Sequence, residues 1–185
     1  KQIPDNADYL LVTNLFEDQL DRYGSLENTR SLIQKAVDKK SDLQLILNAD
    51  DPFIIGLSSS KPAIYFGVEN VFYAEGLNSI ESNYSDYQCP CGKTLEYSKR
   101  FYSKIGHYSC ICGYKRPETK YKADITIFKN HCDLIINGET YQVPVMGLFN
   151  AYNAFAAIVI LLENGISASD IKNSITFKNK RVQRE

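Results

Sequence analysis

Cys89-Pro90-Cys91-Gly92 and Cys110-Ile111-Cys112-Gly113 set four thiols in two close pairs, with eighteen residues between Cys91 and Cys110. The chemistry open to such a set is metal binding. Zinc holds thiolates at ~2.3 Å in a tetrahedron, which puts neighbouring sulfurs roughly 3.8 Å apart. Residues i and i+2 of an extended strand share a side, so each Cys-x-Cys pair can aim both sulfurs at one ion. A glycine follows each pair, where the chain must turn sharply. The spacing is one residue shorter in both halves than the familiar Cys-x2-Cys. Four thiolates fill the tetrahedron, so Cys89, Cys91, Cys110 and Cys112 read as a closed, structural zinc site rather than a catalytic one. Two disulfides are the first competing arrangement; they need an oxidising compartment, and no segment here resembles a secretion signal. Unrelated buried thiols are the second, and the doubled pattern argues against them. His107 precedes the second pair and is an alternative ligand, although a polar hairpin residue is the commoner role. Cys132 lies in an apolar run and reads as a small core residue.

The chain around this cluster must supply the elements that hold it. At 185 residues with 44% hydrophobic content it can bury one sizeable core plus a small appended module. The net charge of −1 predicts no general attraction to nucleic acid. The charge is uneven, however: the stretch from Ser85 to Lys122 carries a balance of +5, a basic insert on an acidic body. No run approaches the roughly 20 apolar residues of a membrane-spanning helix.

Tyr9 to Thr13, Leu43 to Leu47 and Ala63 to Phe66 read as buried strands. Between the first two, Ser25 caps a helix carrying Leu26, Thr29, Ile33, Ala36 and Val37 on one face. Asp51-Pro52 opens a short helix before the third strand. This β-α-β-α-β order implies a parallel sheet with right-handed crossovers. From Glu69 to Tyr121 the sequence is polar and has no helical period, and seven of the thirteen tyrosines fall between Tyr84 and Tyr121. It reads as an insertion organised by metal rather than by a hydrophobic core. Alternating segments then follow at 123–128, 133–136 and 141–145, with Asn137-Gly138 as the hairpin turn between the last two. Asn150 caps an apolar helix that runs through Leu162 and ends at Asn164-Gly165. A last helix starts near Ser167 or Ser169. The expected organisation is a central α/β domain in two parts, 1–68 and 122–185, interrupted by an inserted β zinc ribbon at 69–121.

Three segments carry a family resemblance. Thr13-Asn14-Leu15-Phe16-Glu17-Asp18-Gln19-Leu20-Asp21-Arg22-Tyr23-Gly24, Asn48-Ala49-Asp50-Asp51-Pro52 and Gly147-Leu148-Phe149-Asn150-Ala151-Tyr152-Asn153-Ala154-Phe155-Ala156-Ala157 occur in the order found in the Mur ligases. The chain resembles the central domain of these ATP-dependent peptidoglycan ligases. A four-cysteine ribbon before the hairpin, and Gln19 where most members carry histidine, make it similar to the branch that amidates lipid II. The resemblance implies that ATP phosphorylates the α-carboxylate of D-glutamate in the stem peptide and that ammonia displaces the phosphate. It also implies Mg2+, a GatD-type glutamine amidotransferase partner, and work in the bacterial cytoplasm at the membrane surface without spanning it.

The residues that the resemblance places near the nucleotide are Asn153, for the base, with Asn150, Asn14, Asp18, Gln19 and Arg181. Asn150 and Asn153 are three apart and share a helix face, and an amide both donates to and accepts from an adenine edge. Asn150 as a helix cap is an equal alternative. Asp50 and Asp51 form either a carboxylate pair or, more in keeping with Asp51-Pro52, a cap. No Gly-x4-Gly-Lys-Ser/Thr occurs in these residues. The expectation is a fragment lacking the N-terminal phosphate loop and the C-terminal domain of the family, and inactive alone. Two other functions stay open: nucleic-acid binding through lysines and tyrosines of the ribbon, and a purely structural docking role. A basic ribbon face holding an anionic lipid-linked substrate is a further option, with Lys99, Arg100 and Lys104 as its charges.

Overall fold

The computed structural model describes residues 3–4, 6–15, 25–77 and 86–175. The chain divides into two compact units, Lys1–Glu69 with Ser79–Lys122, and Asn70–Asn78 with Ala123–Glu185.

In the first unit, β1 (Tyr9–Val12), β2 (Gln44–Asn48) and β3 (Ala63–Tyr73) lie side by side and parallel, with Leu11 opposite Ile46 and Leu47 opposite Tyr65. α1 (Leu26–Asp38) connects β1 to β2, and a 3-10 turn (Ile55–Ser59) leads into β3. Helix α1 starts as its sequence dictates: the Ser25 hydroxyl accepts the Asn28 amide at 3.1 Å, satisfying one of the donors that a helix start leaves open. Its Val37 packs with Val12, Leu43, Leu45, Leu47, Ile54 and Leu57 into one apolar cluster. Each such side chain contributes ~1.5–3 kcal/mol when fully buried.

The inserted ribbon belongs to this unit. Its β4 (Glu96–Tyr102) and β5 (Ile105–Ser109) pair antiparallel. The insertion is not core-free as its polarity suggests: Ile55, Leu95, Tyr108, Cys89 and Cys110 form a buried cluster. The tyrosines supply the apolar bulk that its few aliphatic residues do not.

The second unit begins within β3, which runs seven residues beyond the Phe66 expected from the sequence. Polar Glu69 and Asn70 look like a strand end. Asn70 instead donates its side-chain amide to Asp124 at 2.8 Å, so a polar pair continues the strand. Here β6 (Tyr121–Ile127), β7 (Cys132–Ile136) and β8 (Glu139–Val143) form an antiparallel meander. Ala123, Ile125 and Ile127 are buried with a period of two. Asn137 and Gly138, at φ 48° and 91°, make the β7–β8 turn that such dipeptides favour.

Helix α2 (Leu148–Glu163) buries Leu148, Ala151, Tyr152, Phe155, Ile158 and Val159. It starts at Gly147 rather than Asn150, because Gly147 at φ 79° takes the bend into the helix, a backbone state other residues resist. At its far end, Ile166 N–H bonds Leu161 O at 3.1 Å and Gly165 N–H bonds Leu162 O at 3.0 Å, the paired closure that a glycine after the cap permits. α3 (Ala168–Ser174) is capped by Ser167, whose hydroxyl accepts the Asp170 amide. The architecture is the expected α/β sheet flanked by helices with an inserted β ribbon.

Candidate metal centre

The ribbon brings Cys89, Cys91, Cys110 and Cys112 together, with their Sγ atoms all within 4.8 Å of one another. Cys89 and Cys112 are 3.5 Å apart and Cys91 and Cys110 3.7 Å, close to the edge of a zinc-thiolate tetrahedron. The pairs do not sit on extended strand, as their i, i+2 spacing suggested. Each occupies a tight turn in which Gly92 N–H bonds Cys89 O at 2.8 Å and Gly113 N–H bonds Cys110 O at 2.9 Å. Gly92 and Gly113 stand at φ 84° and 93°, so the glycine after each pair is required by the turn.

These turns aim backbone amides at sulfur: Cys91 N–H toward Cys89, Cys112 N–H toward Cys110 and Tyr114 N–H toward Cys112. The last lowers the Cys112 thiol to about 7. Burial pushes the Cys89 thiol up to about 12. The sulfur spacing and the N–H donors fit a tetrahedral thiolate metal. His107 is not among the ligands, since its Nε2 lies 2.7 Å from Val68 O.

Above the cluster, the ribbon reaches the corner that follows β2. Asp50 and Asp51 are both fully buried, adjacent in sequence and partnered separately. Asp50 accepts Val68 N–H at 2.7 Å and Arg116 Nε at 2.6 Å, and Arg116 also reaches Glu69 at 3.0 Å. Asp51 accepts Leu15 N–H at 3.0 Å and Phe53 N–H at 2.9 Å. The Phe53 bond closes a local turn at Asp51-Pro52; the short helix expected to be capped there starts later, at Ile55, with Ile54 at its N-cap. The Lys104 ammonium lies 3.6 Å from Asp51, donates to Leu15 O, and sits 4.1 Å over the Phe53 ring. Burial raises the Asp51 carboxyl above its ordinary range, and Lys104 with the Leu15 and Phe53 amides opposes the rise. Burial also works against the Arg116 charge, but Asp50 and Glu69 more than offset it and hold the guanidinium above its usual value.

Lys104, Arg116 and Glu69 were missed by the sequence reading, which put Lys104 on a basic surface. Lys104 is only 2% exposed. The signal available was the pair Asp50-Asp51 just past the end of β2, whose Leu45, Ile46 and Leu47 are buried, a place where buried carboxylates demand cations. Of the other two charges assigned to that surface, Arg100 stacks on the Tyr97 ring at 4.4 Å and Lys99 donates to Glu69 O at 2.8 Å.

Asn14 stands just past the C-terminal end of β1, beside the Leu15 amide that Asp51 holds. In the second unit, Asn150 and Asn153 share an exposed face at the start of α2, beside exposed Met146 and Phe149. Asn150 donates to Met146 O at 2.9 Å, tying the helix to the loop before it instead of capping it. Asn153 is exposed on the same face, one turn further along the helix. Asp18, Gln19 and Arg181 lie outside the described residues.

No family model matches the chain. It is 38% identical over 179 residues, 94% of its length, to the lipid II isoglutaminyl synthase (glutamine-hydrolyzing) subunit MurT of Staphylococcus aureus strain COL. The chain matches a part of MurT. It is 32% identical, over 88% of its length, to the MurT subunit of Streptococcus pneumoniae strain R6. It spans about 40% of the length of the staphylococcal MurT relative and 37% of the pneumococcal one. Among solved structures it is similar to a pseudomurein peptide ligase type C from Methanothermus fervidus, at a TM-score of 0.75 and 30% identity, covering 94% of this chain and 34% of that one. MurF from Acinetobacter baumannii shares the fold, at a TM-score of 0.56 and 13% identity, with 94% of this chain and 30% of that one covered. The likeness to MurT therefore extends across nearly the whole chain, and the Mur ligase fold agrees with it.

Proposed function

We propose that the full-length protein carrying this chain is the synthetase subunit of a glutamine-hydrolysing lipid II isoglutaminyl synthase. The observation that carries the proposal is the 38% identity to a subunit of that name over 94% of the chain. In this reading ATP transfers its γ-phosphoryl group to the D-glutamate α-carboxylate, giving an acyl phosphate and ADP. Ammonia released from glutamine by a GatD-type partner then attacks the carbonyl carbon, phosphate leaves with the bonding electrons, and loss of a proton gives the amide. Phosphorylation is needed because a carboxylate is a poor electrophile. Mg2+ neutralises the triphosphate and the charge that develops on it.

Within this scheme Asn153 contacts the base, and Asn14 lies at a strand end of the kind where open α/β sheets place ligands. Asp18, Gln19 and Arg181 complete the proposed nucleotide set. The four cysteines hold a structural Zn2+, supported by their mutual spacing and the N–H donors around them. The protein works in the bacterial cytoplasm, facing lipid II at the membrane; among the described residues no helix is long and apolar enough to cross a bilayer. Burial of Tyr102 and Tyr108 inside the ribbon supports leaving nucleic acid out, because these rings offer no stacking platform.

The test is reconstitution of the full-length protein with its glutaminase on lipid II, ATP, Mg2+ and glutamine, read by mass spectrometry of the stem peptide. Conversion of one carboxyl to a carboxamide with stoichiometric ADP is expected. ATP-independent conversion, or amidation at another carboxylate, contradicts the reading.

A further inference from the structure

Two carboxylates in succession, both fully buried, are an expensive arrangement. Apolar side chains of similar size in place of a buried ion pair are often neutral or stabilising. Stability alone therefore gives no reason to place Asp50 and Asp51 at the end of β2, each with a cation.

The origin of those cations is the informative point. Both come from the ribbon. Lys104 lies in the two-residue turn between β4 and β5, where Ser103 takes φ 46°. Arg116 follows the second cysteine turn, with its amide bonded to Tyr108 O at 3.0 Å. The hairpin is further pinned by Gly106 N–H on Asp50 O at 3.0 Å. Space is left for the contact as well: a Cβ on Gly67 would run into Arg116 and the Asp50 carboxylate. The link continues to β1, because Asp51 accepts from Leu15 N–H and Lys104 donates to Leu15 O, gripping both sides of the residue after Asn14. The ribbon's tip is thus built into the C-terminal edge of the parallel strands.

We propose that Lys104 and Arg116 are positioning residues, through which the metal-bound ribbon sets the Asp50-Asp51 corner and the adjoining β1 loop for nucleotide binding. The inference rests on the ATP reading above. It makes metal occupancy and nucleotide affinity linked quantities: loss of the metal frees the two cysteine turns, Arg116 and Lys104 lose their fixed origin, and the β1 loop is no longer held.

The experiment uses the full-length protein with its partner subunit. Mg·ATP affinity is measured by calorimetry alongside metal per chain and melting temperature, for wild type, Lys104→Met, Lys104→Arg and, as a control on the exposed ribbon surface, Lys93→Gln. Lys104→Met is expected to keep its metal and to weaken Mg·ATP binding about tenfold, a coupling of ordinary size between sites. Lys104→Arg recovers most of the affinity, and Lys93→Gln binds like wild type. Should Lys104→Met not fold, metal stripping of the wild-type protein by a chelator gives the same readout. A comparable weakening that reverses on adding zinc supports the link, and unchanged affinity in the stripped, folded protein overturns it. Metal-replete Lys104→Met with wild-type affinity also overturns it while leaving the ATP reading intact. A wild-type protein that binds no Mg·ATP removes that reading and the inference together.

Discussion

The two units of this chain bury different chemistry. Among the described residues, every buried polar or charged side chain (Asn48, Asp50, Asp51, Lys104 and Thr119) belongs to the first unit. The second buries hydrocarbon and aromatic rings: Ile125, Leu134, Ile136, Val143 and the inner face of α2. Its exposed ion pair, Lys172 with Glu139 at 2.6 Å, is of the surface kind that adds little. The second unit is thus arranged as a scaffold, whereas the first carries charges that cost desolvation and are repaid only by exact placement of their partners. The difference teaches where to look for function, namely where burial is paired with charge.

The largest effect should come from the metal. Structural zinc is worth about 10–16 kcal/mol in small zinc modules, so Cys89→Ser/Cys110→Ser should abolish metal binding. Hydrogen exchange should then show lost protection in β4 and β5 with α2 still protected. Equal loss in both units would break the contrast. Next is Phe155→Ala, which opens a cavity under α2 and should cost about 3–5 kcal/mol. Denaturant unfolding measures the loss, and metal per chain should stay at the wild-type value, separating scaffold from site.

Smaller is Asn153→Ala on the exposed face of α2. One hydrogen bond to a base, ~0.5–1.5 kcal/mol, should disappear from Mg·ATP binding in the full-length protein while the melting temperature stays unchanged. Smallest is Asp38→Asn in the first unit. Hydrogen bonds from Ser60 at 2.7 Å and Gln34 at 2.8 Å hold the Asp38 carboxyl below its ordinary range. Because the folded value lies below the unfolded one, its stabilisation is present above the unfolded pKa and is lost as pH falls through the folded one. Melting curves should show a slight deficit for the variant at neutral pH that closes in acid.

Elements with local signals were legible in the sequence. Ser25 and Ser167 cap as their positions suggest, Asn137-Gly138 turns the hairpin, and Gly165 closes α2. The four cysteines were legible as a cluster because repetition of Cys-x-Cys-Gly is itself the signal. Their local geometry was not, since a two-residue spacing fits a strand and a tight turn equally. Asn150 looked like a cap because its side chain suits one, while Gly147 already held the conformation the start needed. The charged corner was the least visible. Arg116 and Asp50 are 66 positions apart, and Lys104 and Leu15 are 89 apart, so no local pattern joins them. The composition that marked this insert as a basic surface concealed that two of its cations point inward.

A single four-thiolate metal organises the ribbon, and the metal's own coordination is the most direct place to measure this. X-ray absorption at the zinc edge of the purified full-length protein should show four sulfurs at ~2.3 Å and no nitrogen neighbour. A nitrogen in the first shell, or metal-free protein with its four cysteines joined as disulfides, would contradict it.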